Sequence, residues 1–396
     1  MRRRSIDHPQ KPRRSRPHGR TPPPETAKAS VPQSYLSIPF LWPLVATAAA
    51  SEATAAFLND VAHIWGTSKQ QTSASNDAEW ATRNRIALEL SSLRLRDFSQ
   101  RSQGRPTVIC APYALHLATV ADFASGHSLV EALRANGVRR VYVTEWRSAT
   151  PEMRFLSIDS YLADLNIAVD ELDHPVDLIG LCQGGWMALV YAARFPKKVR
   201  RLVLAGAPVD IGAGESFLSA SAAEIPLATF EEIVRLGDGR VLGQRVLDLW
   251  APALAPDEAS RVLQMAPGID AAQRLHLERR FRRWYALTVD LPGTYYLQVV
   301  SQLFKENRIA AGRFEALGRR IDLGSVHAPT FLLAGRDDEL VSVDQLLATA
   351  RHIGTPREKI EISVEPCGHL SLFLGAETLR NTWSRIADWL LHETAA

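Results

Sequence analysis

Gly180-Leu181-Cys182-Gln183-Gly184 sets a thiol between two glycines. It follows the apolar run 176–181 and precedes the helix-forming run Trp186 to Phe195. A strand, a sharp turn and a helix in that order make a nucleophile elbow, here with cysteine in the place of the commoner serine. Such a turn presents Sγ at the strand tip and leaves the next backbone N–H, on Gln183, to bind an oxyanion. The flanking glycines suit a turn too tight for side chains. The same residues also fit a buried structural cysteine beside a glycine turn, so the chemistry depends on finding partners.

A thiol nucleophile needs a base and an orienting acid, in the chain order nucleophile, acid, base. Thr330 to Ala334 reads as a buried strand and leads into Gly335-Arg336-Asp337-Asp338-Glu339. Ile360 to Val364 reads as the last strand and leads into Glu365-Pro366-Cys367-Gly368-His369. Both groups fall at strand C-terminal ends, where open α/β sheets build their sites. His369 is the expected base, able to deprotonate Cys182 and then protonate a leaving group. Asp338, three residues beyond Gly335, is the expected acid, and Asp337 reads as a solvent-facing turn residue. A second oxyanion donor is expected from Ala111-Pro112-Tyr113-Ala114, after the strand 107–110. Proline has no N–H, which leaves Tyr113 or Ala114, with Tyr113 preferred. His116 and Trp186 are candidates for lining a substrate pocket, although a lone histidine such as His116 is more often only a polar loop residue. Cys110 reads as core, and Cys367 lies near the site without an elbow of its own.

These groups must be held by a scaffold, and the hydrophobic pattern supplies one. Ile86, Leu88, Leu90, Leu93 and Leu95 alternate as in a β-hairpin. Strands are expected at 107–110, 141–144, 176–181 and 201–205, with helices at 120–136 and 158–172. That alternation implies an α/β fold with a mostly parallel sheet flanked by helices. It stops over 212–320, which reads as a mainly helical cap carrying many aromatics, and resumes with the two late strands and a helix from about 378 to 392. The expected division is a disordered basic tail (1–34), an apolar helical segment and linker (35–80), a first core half (81–211), the cap (212–320) and a second core half (321–396).

The chain has 396 residues, is 46% hydrophobic and carries a net charge of +3. Residues 1–28 hold nine Lys/Arg against Asp7 and Glu25, so the remainder is mildly acidic. The tail reads as a solvated flexible segment, and no specific nucleic-acid partner is expected. Three cysteines imply no disulfide framework and suit a reducing cytoplasm. The basic start and the run from Tyr35 to Ala50 loosely imitate an export signal, but Pro39 and Pro43 interrupt it. No uncharged apolar run reaches about 18 residues, so no transmembrane anchor is expected. Metal-ligand spacing, a P-loop and a dinucleotide glycine fingerprint are all lacking, so neither metal nor other cofactor is expected.

Over roughly residues 105–392 the chain resembles the polyhydroxyalkanoate proteins, that is, intracellular poly(3-hydroxybutyrate) depolymerases and polyhydroxyalkanoate synthases. Depolymerase-like stretches include Ala111-Pro112 with His116, Val141-Tyr142-Val143-Thr144-Glu145-Trp146, Leu181-Cys182-Gln183 and Gly206-Ala207-Pro208-Val209-Asp210. Synthase-like ones include Gly180-x-Cys182-x-Gly184-Gly185, Leu291-Pro292-Gly293, Glu306-Asn307-Arg308 and Ile321-Asp322-Leu323. The resemblance implies a cysteine-type α/β-hydrolase fold with Cys182, Asp338 and His369 as nucleophile, acid and base. Gly184 departs from the depolymerase pattern, which has proline there. Glu339 departs from the synthases, which usually carry histidine after the catalytic aspartate.

The expected function is intracellular depolymerase, an ester hydrolase acting through acyl-Cys182. The alternative is a synthase-like acyltransferase using 3-hydroxyacyl-CoA. A non-catalytic granule-associated protein and a small-ester or thioester hydrolase stand behind these. The expected partner is the polymer or its granule surface, in the cytoplasm.

Overall fold

The computed structural model describes residues 79–172, 175–250 and 257–392, without the side chains of 247–250. The expected basic tail and the apolar segment up to residue 78 lie outside the described residues.

Eight strands form one sheet: β1 (Arg85–Glu89), β2 (Leu93–Asp97), β3 (Pro106–Cys110), β4 (Arg140–Trp146), β5 (Val176–Leu181), β6 (Val199–Ala205), β7 (Thr330–Gly335) and β8 (Ile360–Glu365). Their spatial order is β1-β2-β4-β3-β5-β6-β7-β8. The β1/β2 hairpin is antiparallel, as its alternation predicts, and β2 also runs antiparallel to β4. Every other pairing is parallel. β3 and β5 are buried along their whole length, which explains their unbroken apolar runs.

Helices α1 (Leu129–Ala135), α2 (Ile158–Asp170) and α3 (Gln183–Arg194) connect the strands of the first half. Here one expectation is corrected. The segment 120–136 is not a single helix: a 3-10 turn spans Ala118–Ala121, and Asp122–Ala124 pairs with His127–Ser128 before α1 begins. Asp122 is fully buried and accepts from Thr82 N, Thr82 Oγ1 and Ser128 Oγ. Gly126 turns the chain at φ 76°, and Ser128 Oγ caps α1 by accepting from Glu131 N. A satisfied buried carboxylate and a cap thus outcompete helical continuation.

Between β6 and β7 lie α4 (Phe217–Glu224), α5 (Leu227–Leu236), α6 (Gly243–Trp250), α7 (Glu258–Val262), α8 (Ala271–Ala286) and α9 (Gly293–Gln298), the last continuing as a π-helical turn, Val299–Lys305. After β7 come α10 (Val343–Leu347) and α11 (Thr349–His352), and after β8 come α12 (Ser371–Leu374) and α13 (Ala376–Leu391). Among the described residues, no helix is long and apolar enough to cross a membrane.

Candidate active site

Cys182 stands between β5 and α3, as the N-cap of α3, with φ 49° and ψ −120°, a region that side-chain-bearing residues rarely occupy. Such a conformation costs about 1–3 kcal/mol and persists only where the surroundings impose it. Here Cys182 N donates to Ala205 O at 2.9 Å, and Gly185 N donates to Cys182 O at 2.8 Å. The glycines are steric necessities. A Cβ on Gly180 would stand 2.5 Å from Gly185 Cα, and one on Gly184 would stand 2.1 Å from Cys110 O. Gly184→Ala should therefore cost about 1–3 kcal/mol, as overpacking typically does, because backbone rather than a movable side chain stands in the way. Chemical denaturation checks this, and an unchanged midpoint would contradict the packing.

The acid and base arrive on the loops after β7 and β8. These loops are joined by backbone hydrogen bonds, Arg336 N to Glu365 O and Asp337 N to Cys367 O. Asp338 is buried and Asp337 is exposed. Asp338 Oδ2 lies 2.6 Å from His369 Nδ1, and its Oδ1 accepts from the N–H of Leu340 and Val341 at 2.9 and 3.0 Å. The carboxylate is thus fixed on three sides. Phe373 meets the imidazole edge-on at 5.3 Å, and a Cβ on Gly206 would stand 3.0 Å from His369 Cε1.

Burial lowers the His369 pKa, but the charges of Asp338 and Cys182 and side-chain hydrogen bonds to both residues outweigh it, raising it from 6.5 to about 10. Cys182 and Asp338 therefore act on one ring. A raised folded-state value means that protonation of His369 favours the folded protein. That stabilisation is complete below pH 6.5 and is lost as pH rises toward about 10. Stability should decline across this window, and more weakly in Asp338→Asn. Urea titrations at stepped pH check this, and identical slopes in the two proteins would remove the pair as the cause.

The other two thiols differ. Burial pushes the Cys110 thiol up to about 12 and Cys367 up to about 11. Neither occupies an elbow, and Cys367 Sγ packs on Thr378 Oγ1 at 3.8 Å.

Gln183 is the first residue of α3, so its N–H has no acceptor within the helix. The Gln183 side chain accepts from Trp186 Nε1 at 2.7 Å. Trp186 itself is wholly buried against Phe314. It braces Gln183 from within the core. The loop bearing Tyr113 abuts the elbow: a Cβ on Gly184 would also stand 2.8 Å from Ala111 O. The Tyr113 hydroxyl lies 3.1 Å from Arg147 O and accepts from Tyr161 OH at 3.1 Å, so the side chain anchors the loop. His116 is buried, with Nδ1 3.3 Å from Leu287 O and its ring over Trp284 and Tyr285 of α8. It joins the core loop to the helical insertion.

Sequence reasoning missed Tyr295. It packs at a tilt on Tyr113 and edge-on against Tyr161, its hydroxyl donates to Tyr113 O at 3.4 Å, and Cys182 acts on it electrostatically. The Tyr295-Tyr296 pair stands out in the insertion's sequence, but nothing local assigns it to the elbow. Cys182 and His369 are each only 4% exposed and Asp338 7%, so the site is closed from solvent.

A family model described as alpha/beta hydrolase fold matches residues 117–376. The chain belongs to the alpha/beta hydrolase fold family. It is 28% identical over 299 residues to the poly(3-hydroxyalkanoate) polymerase subunit PhaC of Synechocystis sp., covering 72% of this chain and 78% of that protein. The subunit of the same name from Allochromatium vinosum is 25% identical over 295 residues, covering 73% and 81%. Among solved structures, a monoacylglycerol lipase of Paleococcus ferrophilus has a TM-score of 0.49 at 15% identity, covering 75% of this chain and 98% of its own.

The resemblance to the polyhydroxyalkanoate group is thus supported, and one expectation within it is corrected. These relatives are named polymerase subunits, not depolymerases, so the depolymerase reading gives way to its alternative. The elbow could not have decided this, because hydrolysis and transfer share the same acyl-thiol chemistry and differ only in the acceptor.

Proposed function

We propose that this alpha/beta hydrolase fold protein is an acyltransferase that builds a polyhydroxyalkanoate from 3-hydroxyacyl-CoA through an acyl-Cys182 intermediate. The observation that carries this reading is the similarity, over 72% and 73% of the chain, to relatives named polymerase subunits. The closed site supports it, since a thioester shielded from water survives until a chain hydroxyl reaches it.

In the proposed sequence the Cys182 thiolate attacks the thioester carbonyl. The N–H groups of Gln183 and Tyr113 hold the oxyanion. Collapse breaks the bond to the CoA sulfur, which leaves with the proton of His369. The hydroxyl of a second 3-hydroxyacyl group then gives its proton to His369 while its oxygen attacks the acyl-Cys182 carbonyl. An ester forms and the thiolate returns. Asp338 holds Nδ1 throughout, which leaves Nε2 for both proton transfers. His116 and Tyr295 position the loop that carries Tyr113. The polymer or its granule surface is the proposed macromolecular partner, in the cytoplasm.

Free CoA and polymer should accumulate together when the full chain is given 3-hydroxybutyryl-CoA. Release of CoA with monomeric 3-hydroxybutyrate as the sole product would contradict transfer.

A further inference from the structure

The end of the sheet opposite the Cys182 elbow carries a groove of about 620 Å³. It lies where β1, β3 and β4 begin and β2 ends, away from the strand C-terminal ends that hold Cys182, Asp338 and His369. Among the described residues, five arginines line it, Arg83, Arg85, Arg101, Arg134 and Arg140, against one acid, Asp97.

Asp97 is already satisfied. Its Oδ2 accepts from Arg85 Nε at 2.9 Å and its Oδ1 from Ser99 N at 2.8 Å. Among the described residues, Arg140 donates to neutral groups, Gly104 O and Tyr142 OH. Among the described residues, no ion pair engages Arg83, Arg101 or Arg134. Four guanidinium groups therefore share one groove without a counter-charge among the described residues. A multivalent anion would supply the missing counter-charge to all four at once. Guanidinium forks match phosphate oxygens in pairs, and the volume lies in the range of small-ligand sites.

We infer that this groove is a binding site for a linear chain of phosphates, free or carried by a nucleotide, separate from the Cys182 site. Calorimetric titration of the full chain with inorganic tripolyphosphate, and in parallel with adenosine triphosphate, tests it. Saturable 1:1 binding that weakens with salt is expected. The double variant Arg134→Gln/Arg140→Gln should weaken it by about tenfold or more, the scale of a lost charge-assisted hydrogen bond. The exposed Arg101→Gln, which leaves the buried wall intact, should weaken it in the same direction with unchanged CoA release. Equal affinity for the two ligands assigns the free phosphate chain, and a preference for the nucleotide assigns the carried one; either supports the site. Absence of saturable binding, or equal affinity in both variants and the parent, overturns it, the latter placing the anion on the basic residues 1–28.

Discussion

Alanine at Cys182 should lower CoA release from 3-hydroxybutyryl-CoA by about 10⁴-fold or more, the scale at which loss of a nucleophile leaves only residual binding catalysis. The protein should remain folded. Cys182 contributes little core volume, and its hydrogen bonds to Ala205 O and from Gly185 N are made by the backbone. Glycine separates chemistry from stability more sharply. At φ 49° and ψ −120° a glycine is relaxed where cysteine is strained, so Cys182→Gly should be equally inactive yet stabilised by up to about 1–3 kcal/mol. A variant that is inactive but harder to unfold cannot owe its inactivity to misfolding. Substantial turnover in either variant would exclude Cys182 as the acyl carrier.

Asparagine at Asp338 should cost about 10²–10⁴-fold in the same assay, while Asp337→Asn should leave it unchanged. The reason lies in the donors around the carboxylate. An asparagine can turn its oxygen toward the N–H groups of Leu340 and Val341, which now donate to Oδ1. Its amide nitrogen then faces His369 Nδ1 at the position of Oδ2. Two donors cannot share that contact, so the imidazole is driven to the tautomer with its proton on Nε2, where it can no longer accept from the thiol. Comparable losses from Asp337 and Asp338 would show that general loop disturbance, not the tautomer, is responsible.

The sheet was legible in the sequence because β3, β5 and β7 are buried on both faces and must be continuously apolar. The positions of Cys182, Asp338 and His369 were legible because parallel strands deliver their following loops to one end of the sheet. The segment from Val120 to Asn136 was not. Its apolar spacing is compatible with a helix, and only the long-range bonds from Thr82 to Asp122 show why a turn wins. The placement of Tyr295 against Tyr113 was equally hidden, since the two lie 182 positions apart and meet only when the insertion folds over the loop. The bond from Trp186 to Gln183 was hidden too, because a tryptophan beside an elbow can brace the turn as readily as line a pocket. The choice between the hydrolase and transferase readings lay beyond Cys182, Asp338 and His369 altogether, since the two readings differ only in the acyl acceptor.

The most direct test of the account is peptide mapping by mass spectrometry after brief incubation of the full chain with 3-hydroxybutyryl-CoA. A 3-hydroxybutyryl adduct on the peptide containing Cys182, absent from those containing Cys110 and Cys367 and matched by released CoA, is the result predicted. CoA release with an unmodified Cys182 peptide, or an adduct on another cysteine, would contradict it.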